Sequence, residues 1–255
     1  MEDKNWRYQT ANDHGLSFME RLRQCPREPD PLVYAARFTV AVATRAAMKL
    51  YNRFDIVGRE QLPRDGSFVL VANHASHLDA IALLSALPLR TLHHAYPLAA
   101  CDYFGANPLR LALTTIIANV MLFDRDEGGL AAIKVCQRML DEPHNVLVIF
   151  PEGTRSMDGS IGLFRRGIGW LLAGNSYPAL PCYLEGTAKS LPKSGWVIRP
   201  ARVRLVIGKA RSYERVEQND AGALSVCADL RNAVLELAAA TAPHTARQIT
   251  KEVYL

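Results

Sequence analysis

The chain has 255 residues, 49% of them apolar, and a net charge of +5. That supports one large domain with a real core and excludes a disordered chain. No run reaches the roughly 18–20 apolar residues of a membrane span, and no zinc-finger spacing, RNP-like aromatic run or Lys/Arg tract points to nucleic acid, so the positive charge suits an anionic bilayer or a phosphorylated substrate.

Residues 1–30 read as a polar arm without a secretory-signal pattern, closed off by Pro26, Pro29 and Pro31. Residues 31–51, "PLVYAARFTVAVATRAAMKLY", predict a helix with Pro31 in its first turn. At about 100° per residue, Arg37, Arg45 and Lys49 share roughly a third of its circumference, and the rest is mostly Ala, Val, Phe and Leu. This pattern fits a basic amphipathic helix lying in a membrane surface. It fits equally a helix packed on the domain with a solvated basic edge. The chain thus divides into an arm and amphipathic helix (1–52) and one folded domain (53–255).

From residue 54, strand and helix patterns alternate. Short apolar runs at 67–73, 145–150, 179–185 and 202–208 predict strands, and helical patterns occupy 77–87, 108–121, 128–141, 165–174 and 222–239. The fold class expected is α/β, a single domain with a mixed, mainly parallel sheet flanked by helices, plus the N-terminal amphipathic helix. Sites in such sheets gather at the carboxyl ends of strands. Two polar clusters, "NHASHLD" (73–79) and "PEGTRS" (151–156), directly follow predicted strands. Cys25, Cys101, Cys136, Cys182 and Cys227 form no C-x-x-C pair, which suits reduced thiols and a cytosolic face.

In the first cluster Ser76 is a good helix N-cap, with Asp79 three residues on, as in a short capping box. His74 stays in the preceding turn, where its ring can fold back toward Asp79. The carboxylate would fix the tautomer and stabilise the imidazolium, leaving His74 as a general base. The alternative is that Asp79 only steadies the helix N-terminus and His74 is a turn residue. A metal site at His74, His77 and Asp79 lacks a further ligand. No G-x-S-x-G elbow or nearby cysteine offers a nucleophile, so the substrate's own hydroxyl would attack, by direct group transfer.

In "FPEGTRS" (150–156), Pro151 stops strand pairing and Gly153 permits a positive φ or a close backbone approach. Arg155 beside that turn suits a phosphate, and Glu152 would pair with Arg155 or with a substrate hydroxyl. A tight turn with a surface Glu–Arg pair is the alternative. In "LFDRDEGG" (122–129), Arg125 is either a second phosphate ligand or part of a charged loop capped by Asp126.

The ordered set of Asn73 and His74 with Asp79, "FDR" (123–125), "FPEGTRS" and a later apolar strand with Pro181 resembles the glycerolipid acyltransferases, most closely those acting on 1-acylglycerol-3-phosphate. The resemblance covers roughly residues 55–215, and "FRRG" (164–167) and "EGTAKSLPKSG" (185–195) also resemble the family. A departure is Cys101, where members often carry Lys. The resemblance implies acyl transfer from acyl-CoA or acyl carrier protein to a lysophospholipid hydroxyl, giving phosphatidate. No cofactor and no nucleic-acid partner are expected. His74 would be the base and Asp79 its orienter. Arg125, Glu152, Gly153, Thr154 and Arg155 would line the acceptor site, with Asn73 and Pro181 as further substrate-binding positions. Backbone amides of the Gly153 turn are candidate donors to the thioester oxyanion. The enzyme would sit on the cytoplasmic face of an anionic membrane, peripheral or monotopic. Another lysolipid acceptor, such as a lyso-aminolipid, and a catalytically silent lipid-binding protein are the alternatives.

Overall fold

A computed structural model describes residues 30–100, 114–123, 129–193, 195 and 197–252. Seven strands form one sheet: β1 (Asp55–Val57), β2 (Phe68–Ala72), β3 (Ala95–Ala100), β4 (Met121–Phe123), β5 (Val146–Ile149), β6 (Ala179–Glu185) and β7 (Arg204–Ile207). Their order is β1-β7-β6-β2-β5-β3-β4. Strand β2 pairs in parallel with β5 and β6, and β3 with β5 and β4. Among the described strands only the β6–β7 pairing is antiparallel, and β1 follows β7 in parallel. The sheet is therefore mixed and mainly parallel, as the alternation of patterns predicts.

All five residues of β2 are buried, because helices cover both faces of the sheet. One face carries α1 (Pro31–Tyr51) and α2 (Leu78–Ala86), whose Met48, Leu78 and Leu83 pack with Leu70, Val148, Leu180 and Leu205. The other carries α3 (Gly129–Asp141), α4 (Arg166–Leu172) and α6 (Asp220–Glu252), with Met139, Leu171 and Leu230 against Val69 and Leu147. A one-turn helix, α5 (Thr187–Ser190), follows β6. Each fully buried Leu or Val contributes about 1.5–3 kcal/mol. Helices α4 and α6 cross so closely that a side chain at Gly169 would run into the Ala223 carbonyl.

Helix α1 begins where Asp30 caps the amides of Leu32 and Val33, with Pro31 at its first position. Its basic arc does not face outward as a unit. Arg37 is buried, and its guanidinium bonds the Thr115 and Ile116 carbonyls and the Asn119 carboxamide. Arg45 reaches the Leu84 and Leu87 carbonyls at the end of α2. Both cations cap helix C-termini, where unpaired carbonyls and the helix dipole favour positive charge. The side turned away from the protein is the apolar one, with Leu32, Phe38, Val42 and Leu50 exposed.

The helix predicted over 108–121 is seen only at 114–118, the residues before it lying outside the described set. It ends because Asn119 adopts φ 54°, a left-handed cap, and its side-chain Nδ2 donates to the His93 and Ala95 carbonyls. Strand β4 then begins at Met121. No described helix is long and apolar enough to cross a membrane.

Candidate active site

Strands β2 and β5 lie side by side in register, Val71 opposite Ile149. Their carboxyl ends therefore release residues 73–79 and 150–156 into the same space. The two turns are tied together directly: the Ser156 amide donates to the His74 carbonyl at 2.8 Å.

Before α2 the main chain turns around one carboxylate oxygen. Asp79 Oδ2 accepts the amides of Ala75 and Ser76, each at 2.7 Å, and His74 Nδ1 at 2.9 Å. Ser76 Oγ in turn accepts the Leu78 amide at 3.1 Å. The carboxylate half of the expected capping box is present, with an extra bond from the imidazole, but Ser76 Oγ takes the amide two residues on and the helix N-cap position falls on His77. Asp79 is fully buried, while the His74 side chain is 20% exposed. A carboxylate can only accept, so Nδ1 carries a proton, and in the neutral ring the lone pair is on Nε2. No described residue bonds Nε2, and the ring is stacked on Phe150 at 4.2 Å between centroids. The dyad thus presents a basic nitrogen from a partly open position, its ring held on one side by a carboxylate and on one face by a phenyl group.

The glycine turn departs from expectation in two particulars. Gly153 has φ 70°, as predicted, and its missing side chain makes room for the Arg165 guanidinium, whose Nε bonds the Glu152 carbonyl. But the Gly153 amide is used within the turn, donating to Phe150 O at 3.1 Å, so it is not a free oxyanion donor. Glu152 does not pair with Arg155. Its carboxylate is buried and accepts the His74 amide (2.8 Å) and the Gly162 amide (3.0 Å), stapling the glycine turn to the histidine turn. Thr154 beyond it is exposed. Arg155 donates to the Lys193 carbonyl at 3.3 Å, and Lys193 Nζ donates back to the Arg155 carbonyl at 3.0 Å.

Two further positions are built into the frame. Asn73 is buried, and its carboxamide bonds both the carbonyl (3.0 Å) and the amide (2.8 Å) of Leu184, extending the β2–β6 ladder past the strand end. Its polar atoms are engaged by backbone, not turned toward a substrate. Pro181 lies within β6 opposite Val71 and against Gly208 and Leu237, on the sheet face away from Phe150 and α2. Arg125 and Cys101 lie outside the described residues. Sequence reasoning did not single out Phe150, Arg165, Gly162 or Lys193, although "FRRG" and "EGTAKSLPKSG" contain two of them.

The surroundings of the dyad are matched by three comparisons. The acyltransferase family model matches residues 53–185, just over half of the chain and inclusive of both turns. A chloroplastic 1-acyl-sn-glycerol-3-phosphate acyltransferase of Brassica napus is 32% identical over 162 residues, 62% of this chain and 45% of that protein. The human 1-acyl-sn-glycerol-3-phosphate acyltransferase alpha is 33% identical over 136 residues, 52% of this chain and 46% of that protein. The chain thus spans about half the length of the curated relatives it matches. Among solved structures, the 1-acyl-sn-glycerophosphate acyltransferase PlsC of Thermotoga maritima shares the fold, with a TM-score of 0.58 at 23% identity over 80% of this chain and 82% of that one. With the family model spanning both turns and the sheet that joins them, this chain belongs to the acyltransferase family.

Proposed function

We propose that the chain transfers a fatty acyl group from an acyl thioester, acyl-CoA or acyl carrier protein, to the free hydroxyl of a lysophospholipid. The acceptor we favour is 1-acylglycerol-3-phosphate, giving phosphatidate. The observation that carries this reading is the His74–Asp79 pair at 2.9 Å with Nε2 left open beside the glycine turn. Nε2 takes the hydroxyl proton as the acceptor oxygen attacks the thioester carbonyl. The Asp79 carboxylate stabilises the imidazolium that results. When the C–S bond breaks, the imidazolium returns the proton to the departing thiolate, so the histidine ends as it began. No covalent enzyme intermediate is needed, because the thioester is already activated. The amide of Thr154, one residue past the turn, replaces that of Gly153 as the candidate oxyanion donor.

The acceptor phosphate is assigned to Arg155 and Arg125. Asn73 and Glu152 act as frame, and Pro181 as sheet. The relatives named for 1-acyl-sn-glycerol-3-phosphate support the acceptor class. Residues 1–52 contribute a membrane-surface element, and the outward apolar side of α1 (Leu32, Phe38, Val42, Leu50) is the part that would enter an anionic bilayer, in plane and on its cytoplasmic face. The test is acyl transfer itself. Wild type and His74→Ala are given labelled acyl-CoA and acyl carrier protein donors with a panel of lysolipids. Wild type should acylate lysophosphatidate, and His74→Ala should lose about 10²–10⁴-fold in turnover. Near wild-type thiol release by His74→Ala would refute the mechanism.

A further inference from the structure

Residues 190–193 and 197–199 run as two limbs held together at a common neck. The Arg199 amide donates to the Ser190 carbonyl at 2.7 Å, and Ser190 Oγ donates to the Arg199 carbonyl at 3.0 Å. Asn52, the residue that ends α1, fastens this neck with bonds from Nδ2 to Ser190 Oγ, Arg199 O and Ala201 O at 2.8–3.2 Å. The two limbs then lead to different places. One lies on the site: Ser76 Oγ donates to the Leu191 carbonyl at 2.6 Å, and Lys193 exchanges hydrogen bonds with Arg155. The other lies along the end of α1, where the Tyr51 hydroxyl donates to the Ile198 carbonyl at 3.2 Å.

The limb along α1 exposes apolar side chains that nothing among the described residues covers. Val197 is 74% exposed and Ile198 44%, beside Leu50 at 82% and Tyr51 at 49%. This patch continues the outward stripe of α1, which runs back to Leu32, about 27 Å away at 1.5 Å per residue. Large apolar side chains exposed along a helix and the segment beside it mark an interaction site. Charge identifies the partner. The two segments that meet here, residues 31–54 and 186–204, contain no Asp or Glu, and Lys49, Lys189 and Arg199 at the patch are exposed. Asp55, the nearest acid after α1, is paired with Arg202 and Arg204, so an apolar centre flanked by Lys49, Lys189 and Arg199 is complementary to an anionic phospholipid surface.

We propose that the limb carrying Val197 and Ile198 is a second bilayer contact beside the outward face of α1, and that its seating in an anionic lipid surface sets the position of the Arg155 limb of the site. The proposal rests on the reading of α1 as the lipid-facing element. The two limbs share the Ser190–Arg199 neck, one bonded to the histidine and glycine turns and the other to the end of α1, so lipid contact at Val197 and Ile198 is transmitted through that neck to Leu191 and Lys193.

The full chain is tested against mixed phosphatidylcholine–phosphatidylglycerol vesicles. Two double variants are compared: Val197→Asp with Ile198→Asp at the loop, and Leu32→Asp with Phe38→Asp at the far end of α1. The loop pair should weaken cosedimentation roughly tenfold or more. It should also raise the KM for lysophosphatidate presented in vesicles, while the KM for a short-chain lysophosphatidate presented as free monomers stays at the wild-type value. Should the aspartates lower the melting temperature, Val197→Ser with Ile198→Ser is read in their place. Wild-type sedimentation of the loop pair, with loss in the α1 pair, overturns the loop proposal and leaves the α1 reading standing. Wild-type sedimentation of both pairs overturns both. Weaker sedimentation with both KM values unchanged overturns the link to Arg155. Self-association without vesicles that the loop pair abolishes assigns the patch to a second copy of the chain and also overturns the proposal.

Discussion

Glu152 Oε1 accepts the main-chain amide of His74 at 2.8 Å, so the carboxylate of one motif holds the backbone of the other. Its second oxygen holds the Gly162 amide. Glu152→Gln must turn an NH2 group toward one of these donors, leaving it buried and unpaired. A stability loss of about 1–3 kcal/mol is expected, with kcat reduced and the acceptor KM nearly unchanged. Denaturant midpoints and steady-state kinetics check this. A rise confined to the acceptor KM would return Glu152 to the acceptor hydroxyl.

Asp79→Asn and Asp79→Ala should separate folding from catalysis. An amide oxygen at the place of Oδ2 can still accept from Ala75, Ser76 and His74, whereas alanine abandons all three donors. Turnover should fall in both variants, because neither stabilises an imidazolium. Thermal stability should fall markedly only in Asp79→Ala, by about 1–3 kcal/mol.

Arg155→Lys should raise the KM for lysophosphatidate about 10- to 100-fold and leave the donor KM alone, since a point charge cannot copy a forked contact to phosphate. Measuring both KM values decides it. Movement of the donor KM alone would place Arg155 in the coenzyme or carrier site.

The inward arginines of α1 predict an unusual salt profile. Arg37→Ala and Arg45→Ala should lower the melting temperature by exposing the loss of charge-assisted bonds, about 1.5–3 kcal/mol each. Vesicle binding should keep the same dependence on salt in both variants, because neither guanidinium faces lipid. A flattened salt dependence in either variant would show that its cation reaches the bilayer.

Acid should loosen the same helix. His93 stacks on Tyr34 and touches Arg37, and burial, then Arg37 and His94, hold its pKa below the ordinary imidazole value. The unfolded chain therefore binds the proton first as pH drops. The stability from this group is present above about pH 6.5 and is lost as pH falls through that value toward the folded pKa. His93→Asn should flatten the stability slope between about pH 7 and pH 5 in denaturant titrations.

What could be read from the sequence follows from burial and spacing. The five-residue core of β2 and the four of β5 are continuous apolar runs, and each is followed at once by its polar cluster. Strand β3 has Pro97 in its middle and only Tyr96 and Leu98 as large side chains, so periodicity is silent there. Strands β1 and β4 are three residues each, too short to carry a pattern. The dyad was legible because five residues of chain confine it. The staple through Glu152 was not, since its partners Gly162 and His74 offer backbone amides, which no residue type announces. The direction of α1 failed for a related reason: an arginine reads as solvent-seeking until the carbonyls at the ends of α2 and the 114–118 helix are known to stand opposite it.

The tie between Ser156 N and His74 O, with β2 and β5 in register beneath it, has a bearing on how such an enzyme can be altered. His74 and the glycine turn owe their relative position to neighbouring strands, not to the roughly seventy residues of chain that connect them. That connection passes through β3 and β4 at the sheet margin. Changes of sequence there should leave the His74–Asp79 pair and the glycine turn in place. Chimeras that graft the 101–128 segment from one acyltransferase into another should therefore inherit acceptor preference from the donor of the graft and keep the turnover machinery of the host.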